Sequence, residues 1–133
     1  MMIHVRIVTH EGIYKEFDTP ILNIRTDEGE QGILPNHMPL VTMLKIDSME
    51  SEENGKRMVY AVSGGLFYFR DNTAEILTSA IENSSEIDQE RAEQAKARAE
   101  KRLASDDANI DQKRASIALA RAMNRLKVAS RNH

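Results

Sequence analysis

The chain carries one helical sequence twice: IDQERAEQAKARAEKRL at residues 87–103 and IDQKRASIALARAMNRL at residues 110–126. Eleven of the seventeen aligned positions are identical, and each copy spaces its three arginines seven and then four residues apart. This spacing puts the arginines on one side of an α-helix. Two such helices joined by a short link would form a hairpin with a guanidinium-lined face. Guanidinium groups pair well with phosphates or with rows of carboxylates.

The hydrophobic period changes from two to about 3.6 near residue 80, which predicts that helices begin after this point. Ser85 is expected to cap the first helix, which should end near Leu103. A link over residues 105–109 follows, and Asn109 or Asp107 is expected to cap the second helix.

One face of the second helix, predicted over about residues 110–129, consists of small apolar side chains. Alanines let two helices approach closely but bury little area, so we expect a weak interface that docks and undocks. Arg114, Arg121 and Arg125 are expected to be less solvated than on an open surface, because a second apolar edge flanks them. An arginine stripe is otherwise most often a solvated face. The apolar face comprises Ala115, Ala118, Leu119, Ala122, Leu126 and Ala129.

The composition is that of a soluble domain or of two small ones: 133 residues, 41% hydrophobic and 29% charged. The chain has no Cys, which excludes disulfides, thiolate catalysis and Cys-based zinc sites. No apolar run approaches the roughly 20 residues of a membrane span, and we expect no signal peptide.

Charge is distributed unevenly along the chain. Residues 1–86 hold seven Lys or Arg and fourteen Asp or Glu, a net of −7, whereas residues 87–133 hold eleven and seven, a net of +4. No acidic side chain follows Asp111. This bias indicates an anionic partner, and nucleic acid, anionic lipid, a nucleotide or an acidic protein loop would all fit. The negative N-terminal half and the lack of an aromatic stacking platform argue against nucleic acid.

Residues 2–80 show the alternation of apolar and polar side chains that is typical of β-strands. Glu11-Gly12, Asn54-Gly55 and Asp71-Asn72 are candidate turns. Many short strands at this spacing favour a sandwich or a barrel. The predicted strands cover residues 3–8, 13–17, 20–26, 41–46, 58–62, 66–70 and 73–78.

Two loops stand out in this half. Residues 27–39 contain two glycines, two prolines and His37, a composition most typical of a rigid surface turn. His37 has no second His or Cys at ligand spacing, so we expect no metal site. Residues 63–65, Ser-Gly-Gly, indicate a bulge, a tight corner or a close backbone approach. The sequence shows no nucleophile–base pair and no phosphate loop, so we do not expect an enzyme acting alone.

Three segments match one known family when they are taken together. Residues 29–39, GEQGILPNHMP, resemble a G-E-x-G-I-L-P-x-H-x-P loop, residues 63–65 resemble an S-G-G corner, and residues 114–126 resemble a basic last helix. On these motifs the chain is similar, over essentially its full length, to the epsilon subunit of bacterial F-type ATP synthases, and especially to Bacillus-like members.

The resemblance implies an α+β fold in two parts. An antiparallel β-sandwich of about ten strands would occupy residues 1–84, and an antiparallel α-helical hairpin would occupy residues 85–133. It implies a non-catalytic rotor subunit of the proton-translocating synthase, placed on the central stalk against the gamma subunit and the membrane ring of c subunits. Glu30, Gly32 and His37 match the region that faces the ring. The implied location is peripheral, on the cytoplasmic side of the cell membrane.

The resemblance also implies a regulatory role for the hairpin. The hairpin can fold compactly, or extend along gamma into the catalytic head, meet acidic loops of the catalytic alpha and beta subunits and inhibit ATP hydrolysis. In Bacillus-like members the compact form binds ATP as a regulatory ligand through an I/L-D-x-x-R-A motif that matches residues 87–92. The alternative is a purely structural coupling subunit with no nucleotide sensing. The implied nucleotide-binding residues are Glu82, Ile87, Asp88, Arg91, Ala92, Arg98, Arg114, Arg121 and Arg125.

The chain departs from the family pattern in three places. Asn36 stands where many relatives have Gly, and Asn tolerates a left-handed backbone, so the turn should persist. Residues 66–69 are more aromatic than usual. Residues 48–54 are acidic where a basic stretch is common, which we expect to alter a peripheral contact. The second helical copy, residues 110–115, is not the family's motif, and we interpret it as pseudo-symmetry of the hairpin.

Overall fold

The computed structural model describes residues 1–131, and it divides into two compact units, residues 1–83 and the residues from Ser84 onward. The first unit is all β and the second is helical. The strands are β1 (Ile3–Thr9), β2 (Gly12–Thr19), β3 (Leu22–Thr26), β4 (Gly29–Ile33), β5 (Leu40–Glu53), β6 (Lys56–Arg70), β7 (Thr73–Leu77) and β8 (Ile81–Asn83). The helices are α1 (Gln89–Leu103) and α2 (Gln112–Ser130), preceded by a short 3₁₀ turn at Ser84–Glu86.

The strands of the first unit form one hydrogen-bonded sheet in the order β2-β1-β7-β6-β5-β3-β4, with β8 pairing to β6. All pairs are antiparallel except that of β1 with β7. The described residues hold eight strands where about ten were predicted. The difference arises because β5 and β6 each continue past the Lys45–Gly64 position without a change of register, so each long strand counts once instead of twice.

The sheet closes on itself because the edge strand β2 meets the far halves of β5 and β6. The Phe17 ring stacks on the Tyr60 ring with centroids 6.1 Å apart, and Tyr14 meets the same ring edge-on at 6.5 Å. The core lies between the layers formed in this way. Its fully buried large side chains include Tyr60, Phe67, Phe69, Ile3, Ile7, Leu22, Ile24, Ile33, Met49 and Ile76.

The double glycine, Gly64-Gly65, gives β6 an unusual backbone conformation. Gly64 and Gly65 both have positive φ, +80° and +130°, which L side chains rarely adopt. A Cβ atom on Gly65 would collide with the carbonyl oxygen of Leu77. The Thr78 hydroxyl donates to the Gly64 carbonyl oxygen over 2.6 Å and ties the end of β7 to this part of β6. Of the three predicted explanations for this motif, close backbone approach is therefore shown directly.

Much of the acidic segment 48–54 is buried in the sandwich, and its expected effect on a peripheral contact stays a prediction. Glu50 is only 2% exposed, and its carboxylate receives two hydrogen bonds from the Arg25 guanidinium, at 2.6 and 3.0 Å. Glu53 is also buried, and it accepts from Lys15 at 2.6 Å and from the Tyr60 hydroxyl at 2.6 Å. These carboxylates tie β3 and β2 to β5, which explains why acids can replace a basic stretch.

The electrostatic state of this cluster is set by opposing effects. Burial opposes ionisation of Glu53, but hydrogen bonds from Lys15, Ser51 and Tyr60 outweigh burial and lower its pKa below the ordinary value. Burial and the neighbouring Glu53 carboxylate raise the pKa of Tyr60, so its hydroxyl keeps the proton that it donates. The cluster is therefore an ionised carboxylate held by a cation and two hydroxyls.

The predicted loop at residues 27–39 contains a strand. β4 occupies Gly29–Ile33 and pairs with β3, so only the residues after Ile33 form the loop. Asn36 has a φ of +70°, which confirms that Asn preserves the left-handed turn. Asn36 also exchanges hydrogen bonds with Asn72 in the β6–β7 turn, which fixes the loop to the sheet.

Replacing Gly65 by alanine should destabilise the sandwich by more than about 3 kcal/mol, because the added Cβ overlaps a backbone oxygen that a strand holds in place. Gly12→Ala is the matched control, since Gly12 has a similar φ of +112° but no atom within 4 Å of an added Cβ. Urea unfolding followed by tyrosine fluorescence measures both. Equal losses in the two variants would contradict the close approach.

Glu53→Gln should lower the free energy of unfolding by roughly 1.5–3 kcal/mol at pH 7, because it leaves Lys15 without its carboxylate. The exposed neighbour in Glu52→Gln should change it by less than about 0.5 kcal/mol. The folded pKa of Glu53 lies below the ordinary 4.5, so its stabilisation is complete above that value and is lost as the pH falls through the lowered pKa. A difference between wild type and Glu53→Gln that stays constant down to strong acid would refute this account.

Candidate functional site

Both helices of the hairpin begin in the same way. Asp88 is the N-cap of α1, and its Oδ1 accepts from the Arg91 backbone N–H over 3.1 Å. Asp111 is the N-cap of α2, and its Oδ1 accepts from the Arg114 backbone N–H over 3.1 Å. The predicted caps, Ser85 for the first helix and Asn109 or Asp107 for the second, were therefore wrong.

The first six positions of the near-repeat are explained by this shared start. In each copy the residue before the cap is a half-buried isoleucine, and the fourth helical residue is a buried alanine, Ala92 or Ala115. Such a pair has the spacing of a hydrophobic staple, which fixes the direction in which the chain enters a helix. The recurring Ile-Asp-x-x-Arg-Ala thus supplies both the N-cap and the hydrophobic staple of a helix. Its residues therefore occupy the same positions in the first turn of each helix.

The two helices pack through alanines. Ala92 and Ala99 of α1 are buried, as are Ala115, Ala122 and Ala129 of α2. Each helix thus presents its smallest side chains every seven residues. The six residues predicted to form the apolar face of α2 are all buried or half-buried, which confirms that face.

The arginines lie largely in solvent. Arg91, Arg98, Arg114 and Arg121 are exposed, and only Arg125 is half-buried. The prediction that flanking apolar strips would shield them was therefore wrong for Arg114 and Arg121. The reason is that Ile117, part of the second apolar edge, is itself exposed.

The predicted nucleotide-binding residues are divided between the units. Glu82 lies half-buried in β8, opposite Ala61 of β6. The other eight belong to the helical unit: Ile87, Asp88, Arg91, Ala92, Arg98, Arg114, Arg121 and Arg125.

Within the hairpin, the eight residues do not surround one point. Arg91 is in the first turn of α1, whereas Arg114 shares a cavity with Arg102 from the last turn of α1. Eleven residues of helix separate Arg91 from Arg102, which is about 16 Å. Sequence analysis missed Arg102 as a site residue, although it aligns with Arg125 in the repeat.

The residues predicted to face a membrane ring lie on and after an edge strand. Glu30 and Gly32 are exposed on β4, and Arg25 approaches the Glu30 carboxylate to 3.4 Å. His37 is half-buried with its ring edge-on to Phe69, at 5.9 Å between centroids. Its Nδ1 lies 2.7 Å from the Met38 carbonyl oxygen.

Exposed apolar side chains follow this segment, and sequence analysis missed them. Val41, Met43 and Tyr68 are exposed on β5 and β6, and Val41 pairs directly with Tyr68. The sequence does carry a signal for these exposed side chains, because the outward-facing positions of the alternating pattern in β5 are themselves apolar. An apolar patch on an outer face indicates contact with another surface.

Among residues 1–131, no group of His, Asp or Glu is arranged to hold a metal ion. Neither described helix is both long enough and apolar enough to cross a membrane.

A β unit followed by an arginine-bearing two-helix hairpin defines a small two-part subunit. The family model "ATP synthase, Delta/Epsilon chain, beta-sandwich domain" matches residues 2–84, and "ATP synthase, Delta/Epsilon chain, long alpha-helix domain" matches residues 85–130. The chain therefore belongs to the ATP synthase delta/epsilon chain family, as a subunit of the central stalk. These matches confirm the predicted family and fold class.

Individual relatives agree with this assignment. The chain is 45% identical over 101 residues to the ATP synthase epsilon chain of Halalkalibacterium halodurans, covering 76% of each chain. It is 41% identical over 103 residues to that of Bacillus subtilis, covering 77% of this chain and 78% of the relative. Among solved structures it is similar to a chain of the Euglena gracilis mitochondrial ATP synthase (OSCP/F1/c-ring). The TM-score is 0.80 at 26% identity, over 99% of this chain and 82% of that one.

Proposed function

We propose that the chain is a non-catalytic rotor subunit whose hairpin senses ATP and restrains ATP hydrolysis. The sandwich couples the catalytic head to the membrane ring, and the hairpin binds ATP in its compact form. The observation that carries the proposal is the hairpin itself, in which two identical helix starts hold a set of solvent-facing arginines over an interface made mainly of alanines. Such a hairpin offers both arginines that can bind an anion and a helix–helix interface that is weak enough to open.

The chemistry of the first helix start suits a nucleotide. Asp88 uses Oδ1 for the cap, and its other carboxylate oxygen can accept from an adenine amino group. Ile87 is a half-buried apolar neighbour for a base, whereas Ala92 is fully buried and can support the site only through the packing of the helix start. The Arg91, Arg98, Arg121 and Arg125 guanidiniums can pair with phosphates.

The packing of the hairpin suits a switch. Burial stabilises by roughly 25 cal/mol per Å² of apolar surface, and alanine offers little surface. A ligand that binds only the compact form shifts the equilibrium towards it in proportion to its differential affinity. ATP bound across the helices would therefore favour closure, and loss of ATP would release the helices.

The partners follow from the surfaces and the family. Glu30, Gly32 and His37, with the apolar patch at Val41 and Met43, would contact the gamma subunit and the ring of c subunits. The released helices would extend along gamma. The acid-free end of α2 would then meet acidic loops of the catalytic alpha and beta subunits. With these partners, the proposed location of the chain is peripheral, on the cytoplasmic side of the cell membrane.

Replacing Arg121 and Arg125 together by alanine should weaken ATP binding by roughly 2–4 kcal/mol, because each guanidinium supplies a charged hydrogen bond. Calorimetric titration of the full chain with ATP and with ADP measures this. Arg6→Ala/Arg70→Ala removes the same charge from the sandwich and is the matched control. Wild-type affinity in the Arg121→Ala/Arg125→Ala variant would remove these residues from the site.

Deleting residues 87–133 should raise ATP hydrolysis by a head reconstituted with this subunit and abolish its response to ATP concentration. ATPase activity measured with the full and the shortened chain provides the test, and proton-coupled synthesis provides the control. The purely structural alternative expects no ATP binding by the full chain and unchanged hydrolysis without the hairpin. That result would exclude regulation by the hairpin.

A further inference from the structure

The second helix start forms a cavity that the proposed function does not use. The cavity has a volume of about 340 Å³ and lies between the last turn of α1, the link and the first turn of α2. It is within the size range of small-molecule sites. Two guanidiniums from different helices, those of Arg102 and Arg114, line it. The remaining lining residues are Asn109, Ile110, Asp111 and Ala115.

The charge of this region is unbalanced. Over residues 1–131 the structure shows no ion pair for Arg102 or for Arg114. Adjoining hollows of about 280 and 380 Å³ add the cationic side chains of Arg98, Lys101, Lys113 and Arg121, and Asp111 also lines the larger hollow. Like charges that converge on a concave surface repel one another and attract an anion.

The one acidic residue of the cavity, Asp111, offsets the charge of only one of its two guanidiniums. Asp111 accepts from the Arg114 backbone N–H through Oδ1, so this carboxylate is engaged as a helix cap. The first turn of the 19-residue helix α2 adds amide N–H groups and the positive end of its dipole. Asn109 can add a side-chain amide donor. The donors therefore outnumber the acceptors around the cavity.

The arrangement repeats the one at the start of α1. Arg91 and Arg114 each occupy the third helical position, with their backbone N–H on the capping aspartate at the same 3.1 Å. The partner arginines also correspond, since Arg102 and Arg125 align in the repeat. Arg91 at the first helix start and Arg102 beside the second helix start are about 16 Å apart along the axis of α1. A single small anion cannot touch both.

We propose that the second helix start is a separate anion site, at which Arg102 and Arg114 bind the phosphate groups of a polyphosphate or of a nucleotide. Guanidiniums bind phosphate oxygens in a planar, paired geometry, and a concave site at a helix start favours a small phosphate compound over an extended acidic chain. This assigns Arg114 to the second site instead of the proposed ATP site. It goes beyond the proposed function because the site does not require Asp88 or Arg91.

The test uses the ¹⁵N-labelled full chain, titrated separately with sodium tripolyphosphate, ATP and adenosine. Backbone amide signals of residues 110–115 report on the second site, and those of residues 87–92 report on the first. Arg102→Gln/Arg114→Gln removes the second site. Arg91→Gln is the matched control, because it removes the equivalent third-position arginine from the first copy. All of these side chains are exposed, so the variants should fold.

Saturable shifts of residues 110–115 with tripolyphosphate are expected, weakened at least about tenfold in Arg102→Gln/Arg114→Gln and unchanged in Arg91→Gln. Shifts with ATP but not with tripolyphosphate or adenosine would also support the site and would identify a nucleotide as its ligand. Shifts at 110–115 without any at 87–92 would support it while refuting the proposed ATP site. No shift at 110–115, or one that Arg91→Gln weakens equally, would overturn it.

Discussion

The hydrogen bond that each capping aspartate accepts from the backbone amide three residues later determines where the functional side chains of the hairpin lie. Because Asp88 and Asp111 cap their helices in the same way, corresponding residues of the two copies occupy the same positions in α1 and in α2. The alanines then fall on the inner face at intervals of seven, and the arginines fall beside them. The proposed anion-binding surface and the close helix–helix contact would therefore both come from one short motif used twice.

The two units are stabilised in different ways, and this difference suits the proposed roles. The sandwich is fixed by a glycine corner that no other residue fits and by buried carboxylates with charged partners. The hairpin has no comparable element among its described residues, and alanines make up most of its interface. A rigid docking unit and an easily opened regulatory unit can therefore exist in one small chain.

The sequence predicted the division into β and helical parts well because the hydrophobic period changes so clearly near residue 80. The helix starts were misplaced because several Ser, Asn and Asp residues compete as caps, and only the geometry selects among them. Sequence analysis did not predict the burial of Glu50 and Glu53, since their partners Arg25 and Lys15 are more than twenty positions away. The family resemblance supplied the proposed nucleotide-binding residues, and the structure adds Arg102 as a further candidate because it lines a cavity together with Arg114 of the other helix.

The most direct test of the account is amide hydrogen exchange of the full chain with and without saturating ATP. The account predicts that ATP slows exchange in α1 and α2, because it stabilises the compact hairpin, and leaves the sandwich strands unchanged. Exchange in both helices that is the same with and without ATP would contradict the claim that the hairpin is a nucleotide sensor.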